Sequence, residues 1–216
     1  MASEETDSRR SEILRYLGCL GRPLPPGLEQ QIDRCDAAVG RAARPRAVTR
    51  ILPAEQAGCL QGDDLRRHLA GCGQVCLMAA TLGAGVERLL MRAQVENMAD
   101  ALIMDACAAA QAEALCDQTE QQVRAGAEAR GLWLTSRFSP GYGDWPLTCQ
   151  GPLLRLLDAG RRIGLAVSGS GILIPRKSVT AVMGFSPVPT VPRGRCEGCS
   201  MRQNCQFFRE GTRCDQ

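Results

Sequence analysis

Within the eight residues Arg137-Phe138-Ser139-Pro140-Gly141-Tyr142-Gly143-Asp144 the chain gathers a guanidinium, a tight Pro-Gly bend and an aromatic ring. An arginine at a strand end can present two parallel N–H groups to a carboxylate. Pro140-Gly141 sets the bend, and Tyr142 can stack on a flat ring or a cation. A zwitterionic ligand bearing adenine would use all three; an ordinary turn with a surface arginine and a half-buried tyrosine has the same local pattern. A second concentration of chemistry lies at the end of the chain, where Cys196, Cys199, Cys205 and Cys214 have the spacing C-x2-C-x5-C-x8-C. Four thiolates in a short, weakly apolar stretch suit zinc or an iron–sulfur cluster, with a thiol-rich tail as the alternative. The other eight of the twelve cysteines, among them Cys72, Cys76, Cys107 and Cys116, are scattered and read as small buried hydrophobes.

Other arrangements carry less. His68 is the single histidine, which excludes most histidine-based metal sites, and its place in a short helix reads as structural. Gly83-Ala84-Gly85 stands between a strand and a helix, where backbone N–H groups can receive a phosphate. Arg88, however, occupies the third glycine position of a G-x-G-x-x-G loop. Gly169-Ser170-Gly171 precedes Ile172-Leu173-Ile174-Pro175 rather than a helix and reads as a turn. Glu113, Asp117 and Glu120 are spaced by four and three and share one helix face, which pattern alone reads as a solvated acidic face. Glu113 lies deepest in the Ala-rich run and is the least ordinary of the three.

Elements must hold these groups in place. Helical spacing covers Ser11 to Leu20 and Gly27 to Arg44, separated by Pro23, Pro25 and Pro26. Strands are expected over Arg46 to Leu52 and Val75 to Leu82, with a helix begun by Asp63 and Asp64 between them. Val86 to Arg130 is helical, with a long helix over Met98 to Ala129. Strands follow over Leu132 to Phe138, Ile163 to Val167 and Val179 to Phe185, with a short helix Gly151 to Ala159. Helices and strands in runs, without regular alternation, predict an α+β fold: one domain over residues 1–186 with a curved, mainly antiparallel sheet and packed helices. Residues 187–216 are expected to form a Pro-rich linker and a cysteine-rich tail. With 216 residues and 44% apolar composition, one substantial core is possible. A net charge of +3 from 26 basic and 23 acidic residues disfavours nucleic acid as a partner. The longest nearly apolar stretch, Val75 to Val86, falls short of the roughly 20 residues that span a bilayer, so no membrane segment is expected. The polar, acidic N-terminus is unlike a secretory signal, and a cytoplasmic protein is expected.

The motif Arg137-x-x-Pro140-Gly141-Tyr142 resembles the S-adenosylmethionine-binding signature of the activation domain of cobalamin-dependent methionine synthase. Ser170-Gly171-Ile172-Leu173-Ile174-Pro175, followed by Ser178-Val179, resembles the segment that forms the other side of that family's ligand cleft. The whole is similar to short, free-standing relatives of that domain, clearly over residues 131–186 and more thinly back to residue 45. The resemblance implies that Arg137 holds the methionine carboxylate, that Ser139 and Gly141 offer backbone contacts, and that Tyr142 lies against the nucleoside. It further implies that Glu113 is the ligand-facing acid. Met183 stands near where the family carries a second tyrosine.

The same resemblance implies binding of S-adenosylmethionine and support of the reductive methylation, or reactivation, of a corrinoid. The cobalamin would be carried by a partner, a corrinoid-binding methyltransferase component, because no Asp-x-His-x-x-Gly loop is present here. A reductant protein such as a flavodoxin or ferredoxin would supply the electron, and no residue is assigned a catalytic role. Two rival readings are a non-catalytic corrinoid-protein chaperone or ligand sensor, and an electron-transfer protein working through the cysteine tail.

Overall fold

The computed structural model of the protein describes residues 2–190, with side chains from Ser8 onward, together with Gln203 and Arg209. The expected metal ligands Cys196, Cys199, Cys205 and Cys214 lie outside the described residues. Helices α1 (Ala2–Tyr16) and α2 (Leu28–Ala42) lead into strand β1 (Arg46–Pro53), helix α3 (Asp63–His68) and strand β2 (Gln74–Thr81). Helices α4 (Ala84–Glu96) and α5 (Met98–Glu128) follow, then β3 (Trp133–Leu134), α6 (Gln150–Leu157) and α7 (Ala159–Ile163). A small hairpin, β4 (Ala166–Val167) and β5 (Leu173–Ile174), precedes β6 (Ser178–Ser186). The fold is α+β, with an antiparallel four-stranded sheet in the order β1-β2-β6-β3.

β2 is central, and its unbroken apolar run follows from burial on both faces. Side chains alternate across a strand. Val75, Leu77 and Ala79 therefore join one core with Trp145, Leu153 and Leu157, while Cys76, Met78 and Ala80 join another with Cys116, Ala127 and Met183. The first core is roofed by α6 and α7, the second by the C-terminal half of α5. The N-terminal half of α5 packs in a third, helical core, where Ile103, Ala106, Cys107 and Ala110 meet Ile32, Cys35 and Val39 of α2. Alanine and cysteine suit this helix because small side chains let neighbouring backbones approach closely. The free thiols of Cys72, Cys76, Cys107 and Cys116 are all buried.

Local chemistry moves several expected boundaries. The helical stretch from Val86 breaks at Asn97, whose side-chain oxygen accepts the N–H groups of Ala99 (3.0 Å) and Asp100 (3.3 Å) and so caps α5. α1 ends at Tyr16 rather than Leu20, where Gly18 at φ 68° takes the left-handed conformation that stops a helix. The strand expected over Leu132 to Phe138 shrinks to β3. Phe138 returns to the sheet only as an isolated bridge to Val182, and the residues between turn toward α3 and α5. Ile163 closes α7 and opens no strand, because its side chain is buried in the core under β1 and β2.

Candidate functional site

The segment from Ser136 to Trp145 crosses from the sheet edge to the start of α6 and is fastened at both ends. Trp145 is buried, and its indole N–H donates to the Cys59 carbonyl at 2.8 Å. Asp144 receives the backbone N–H groups of Asp63 (2.5 Å) and Asp64 (3.1 Å) and thereby caps α3 from a distance in sequence. Burial works against the Asp144 charge, but these two N–H groups, its own N–H and Arg67 outweigh it and hold the carboxyl below the usual carboxylate range. His68 bonds through Nε2 to the Ser136 carbonyl at 2.8 Å and packs its ring on Phe138, centroids 5.2 Å apart. Its role here is structural. Between the anchors, Gly141 N–H donates to Trp145 O (2.7 Å) and Tyr142 N–H to Ser139 O (3.1 Å). Tyr142 is left 66% exposed at the tip of the turn.

The acidic face of α5 is not simply solvated. Arg137 reaches it with Nη2 on Glu113 (3.3 Å) and Asp117 (2.5 Å) and Nε on Glu120 (3.2 Å), and Arg124 pairs with Glu120 at 2.7 Å. The spacing of the three carboxylates brings them to one cation because residues three and four apart share a helix face. Glu120, and not Glu113, is the most enclosed of them, and Asp117 is the most open. The Arg137 side chain is 14% exposed, and its Nη1 is buried without a hydrogen-bond partner among the described residues. Burial disfavours the guanidinium charge, yet Cys116, Asp117, Glu113 and Glu120 more than restore it, so Arg137 is held still more firmly protonated than usual. The Cys116 thiol behind it is pushed up to about 12, chiefly by burial.

The two sequence motifs meet on Leu147, in the short 3-10 turn that leads into α6. Gly141 (φ 96°) and Gly171 (φ 84°) both need the left-handed region and both press on this residue. A Cβ built on Gly141 would lie 3.1 Å from Leu147 Cδ2, and one on Gly171 3.2 Å from Leu147 Cβ. The second turn is rigid in its own right. Ser168 Oγ bonds to Ser170 Oγ (2.9 Å) and accepts the Ile172 N–H (3.0 Å), and Ser168 N–H returns to Ile172 O (2.8 Å). Gly169-Ser170-Gly171 is thus a turn. Ser178 Oγ donates within reach of Thr81 Oγ1 and Pro175 O, both at 2.7 Å, and ties the motif's end to β2.

Some residues stand elsewhere. Met183 is fully buried between the sheet and α5 and lines no cleft, because its position in β6 faces the core. Gly83-Ala84-Gly85 begins α4, and a Cβ on Gly85 would collide with Ala42 O, so close helix packing accounts for that glycine. Leu147, Asp117, Glu120 and Asp144 were not singled out from sequence as site residues. The i, i+4, i+7 spacing was the signal for Asp117 and Glu120, Asp144 closes the turn motif itself, and Leu147 had none. Among the described residues no cluster of three metal-ligating side chains is present. No helix there is long and apolar enough to cross a membrane.

No family model matches the chain, and no curated protein matches it in sequence. Among solved structures, the crystal structure of the MetH reactivation domain bound to AdoHcy is similar, with a TM-score of 0.56 and 16% identity. The match covers 89% of this chain and 76% of that one. At that identity the likeness is one of fold.

Proposed function

We propose that the chain binds S-adenosylmethionine in the cleft between the Arg137–Tyr142 turn and the Gly169–Pro175 turn, and supports reductive methylation of a corrinoid carried by a partner protein. The observation that carries this reading is the meeting of both turns on Leu147, with Arg137 and the acidic face of α5 beside the first of them. The fold shared with a domain solved with AdoHcy supports it. In this reading Tyr142 lies against the nucleoside, Ser139 and Gly141 offer backbone groups, and Glu113 faces the ligand. Arg137 has a double role. Without ligand it clamps the turn to α5. A ligand carboxylate takes over the guanidinium by displacing Asp117, the most open of the three acids. The freed Asp117, with Glu113 beside it, then faces the ammonium and sulfonium charges.

A corrinoid reduced by one electron on its own protein would supply the nucleophilic chemistry that takes the methyl group from the sulfonium, leaving S-adenosylhomocysteine. This chain holds the donor in line and keeps water away. A reductant protein such as a flavodoxin or ferredoxin is the electron source in this reading, and the cytoplasm the setting. The four cysteines of the tail are the proposed metal ligands, for zinc or an iron–sulfur cluster.

Calorimetric titration with S-adenosylmethionine tests the ligand assignment. Saturable binding is expected for the wild-type chain and its loss in both Arg137→Ala and Tyr142→Ala. A folded wild-type protein that takes up no S-adenosylmethionine, with or without a corrinoid protein, would overturn the reading.

A further inference from the structure

We infer that Leu147 is a specificity-determining residue of this cleft: it forms the apolar floor against which the flat heterocycle of the ligand rests, and its size sets what heterocycle fits. The inference rests on the ligand reading above and goes beyond it, since neither turn contains Leu147. Two glycines from separate turns lie against one leucine closely enough that a Cβ on either would crowd it, at 3.1 and 3.2 Å. The leucine nevertheless remains 43% exposed. A side chain used only as packing between two loops would be covered by them. Here the glycines lie against it and leave the rest of its surface open.

The residues next to the two glycines are both large, apolar and exposed: Tyr142 (66%) beside Gly141 and Ile172 (50%) beside Gly171. Three exposed apolar residues thus belong to chain stretches that adjoin at Leu147. The chain is held there from below, because Trp145 is buried two residues before Leu147 and Cys149 two residues after it. The backbone on both sides of Leu147 is thereby anchored in the core. An exposed aromatic ring and two exposed aliphatic groups suit a planar, weakly polar ring such as a purine better than they suit a carboxylate or a phosphate. The charged end of the same ligand belongs on the Arg137 side, where the carboxylates and the guanidinium are. Adenine therefore goes to Leu147.

A floor made by one leucine can be lowered. Wild type and Leu147→Ala are titrated with S-adenosylmethionine and with an analogue enlarged by a benzyl group on the adenine N6. Leu147→Ala is expected to bind S-adenosylmethionine about tenfold more weakly, while the ratio of the two affinities shifts about tenfold toward the enlarged analogue, as apolar pockets discriminate by a few methylene groups. A variant that was merely loosened would lose both ligands together. An unchanged ratio in a folded Leu147→Ala protein overturns the inference. Should that variant fail to fold, Leu147→Val replaces it, with a smaller shift in the same direction expected and an unchanged ratio again fatal. Wild type that binds S-adenosylmethionine with no response of the ratio to Leu147 defeats this inference alone. Wild type that binds neither compound defeats the ligand reading and this inference with it.

Discussion

Arg137 and Trp145 stand at the two ends of one nine-residue segment and are held by opposite kinds of force. Trp145 is 1% exposed, sealed among Leu153, Leu157 and Val75, with its indole N–H satisfied by a carbonyl. Arg137 is held by three carboxylates, two of which remain largely open to water. Packing of the first kind has no substitute in solution, whereas an ion pair with a half-exposed acid can be exchanged for another anion at small cost. One end of the turn is therefore an anchor and the other an exchangeable contact, which the proposed reading assigns to a ligand.

This contrast is breakable by substitution, and the largest effect belongs to the anchor. Trp145→Ala should cost about 3–5 kcal/mol of stability through the lost apolar contacts and the cavity left behind. Chemical denaturation would show it as a lower midpoint, and a value below that of Arg137→Ala would collapse the distinction between the two ends. Arg137→Ala should cost less, roughly 1–3 kcal/mol, because the acids it leaves behind are partly solvated and can relax into water. The same measurement serves, and Asp117→Asn should recover part of the loss by removing one of the mutually repelling charges.

The smallest effect is expected at Asp144, which stands beside the anchor but acts through charge. Its folded-state pKa is depressed, so its contribution is present above the ordinary aspartate range and is lost as pH falls through the folded value. Asp144→Ala should therefore lower the melting temperature slightly at neutral pH, and the gap from wild type should close as pH drops below the aspartate range. A gap that stays constant down to strongly acidic pH would mean that the carboxylate charge does not cap α3.

Much of this was legible in the chain. The Pro-Gly turn, the Asp63-Asp64 helix start and the unbroken apolar run of β2 all rest on local conformational preference or on a period that burial imposes. The long helix was legible for the same reason, from its start at Met98 to within a residue of its end, although the capping role of Asn97 was not. The strand expected to reach Phe138 is interrupted after Leu134: Thr135 and Phe138 still bond to β6, but between them Ser136 bonds to His68 and Arg137 to the acids of α5.

By itself, then, the sequence determined the fold class, the order of the elements and the two glycine turns, since each follows from residues near one another in the chain. Only the tertiary structure decided that Arg137 meets carboxylates 20 and 24 residues away, that Asp144 caps a helix 80 residues earlier, and that both turns close on Leu147. Such contacts depend on where the sheet and α5 place their surfaces. A leucine beside a proline has the same local pattern whether it fills a core or floors a cleft, and what surrounds it in space makes the difference.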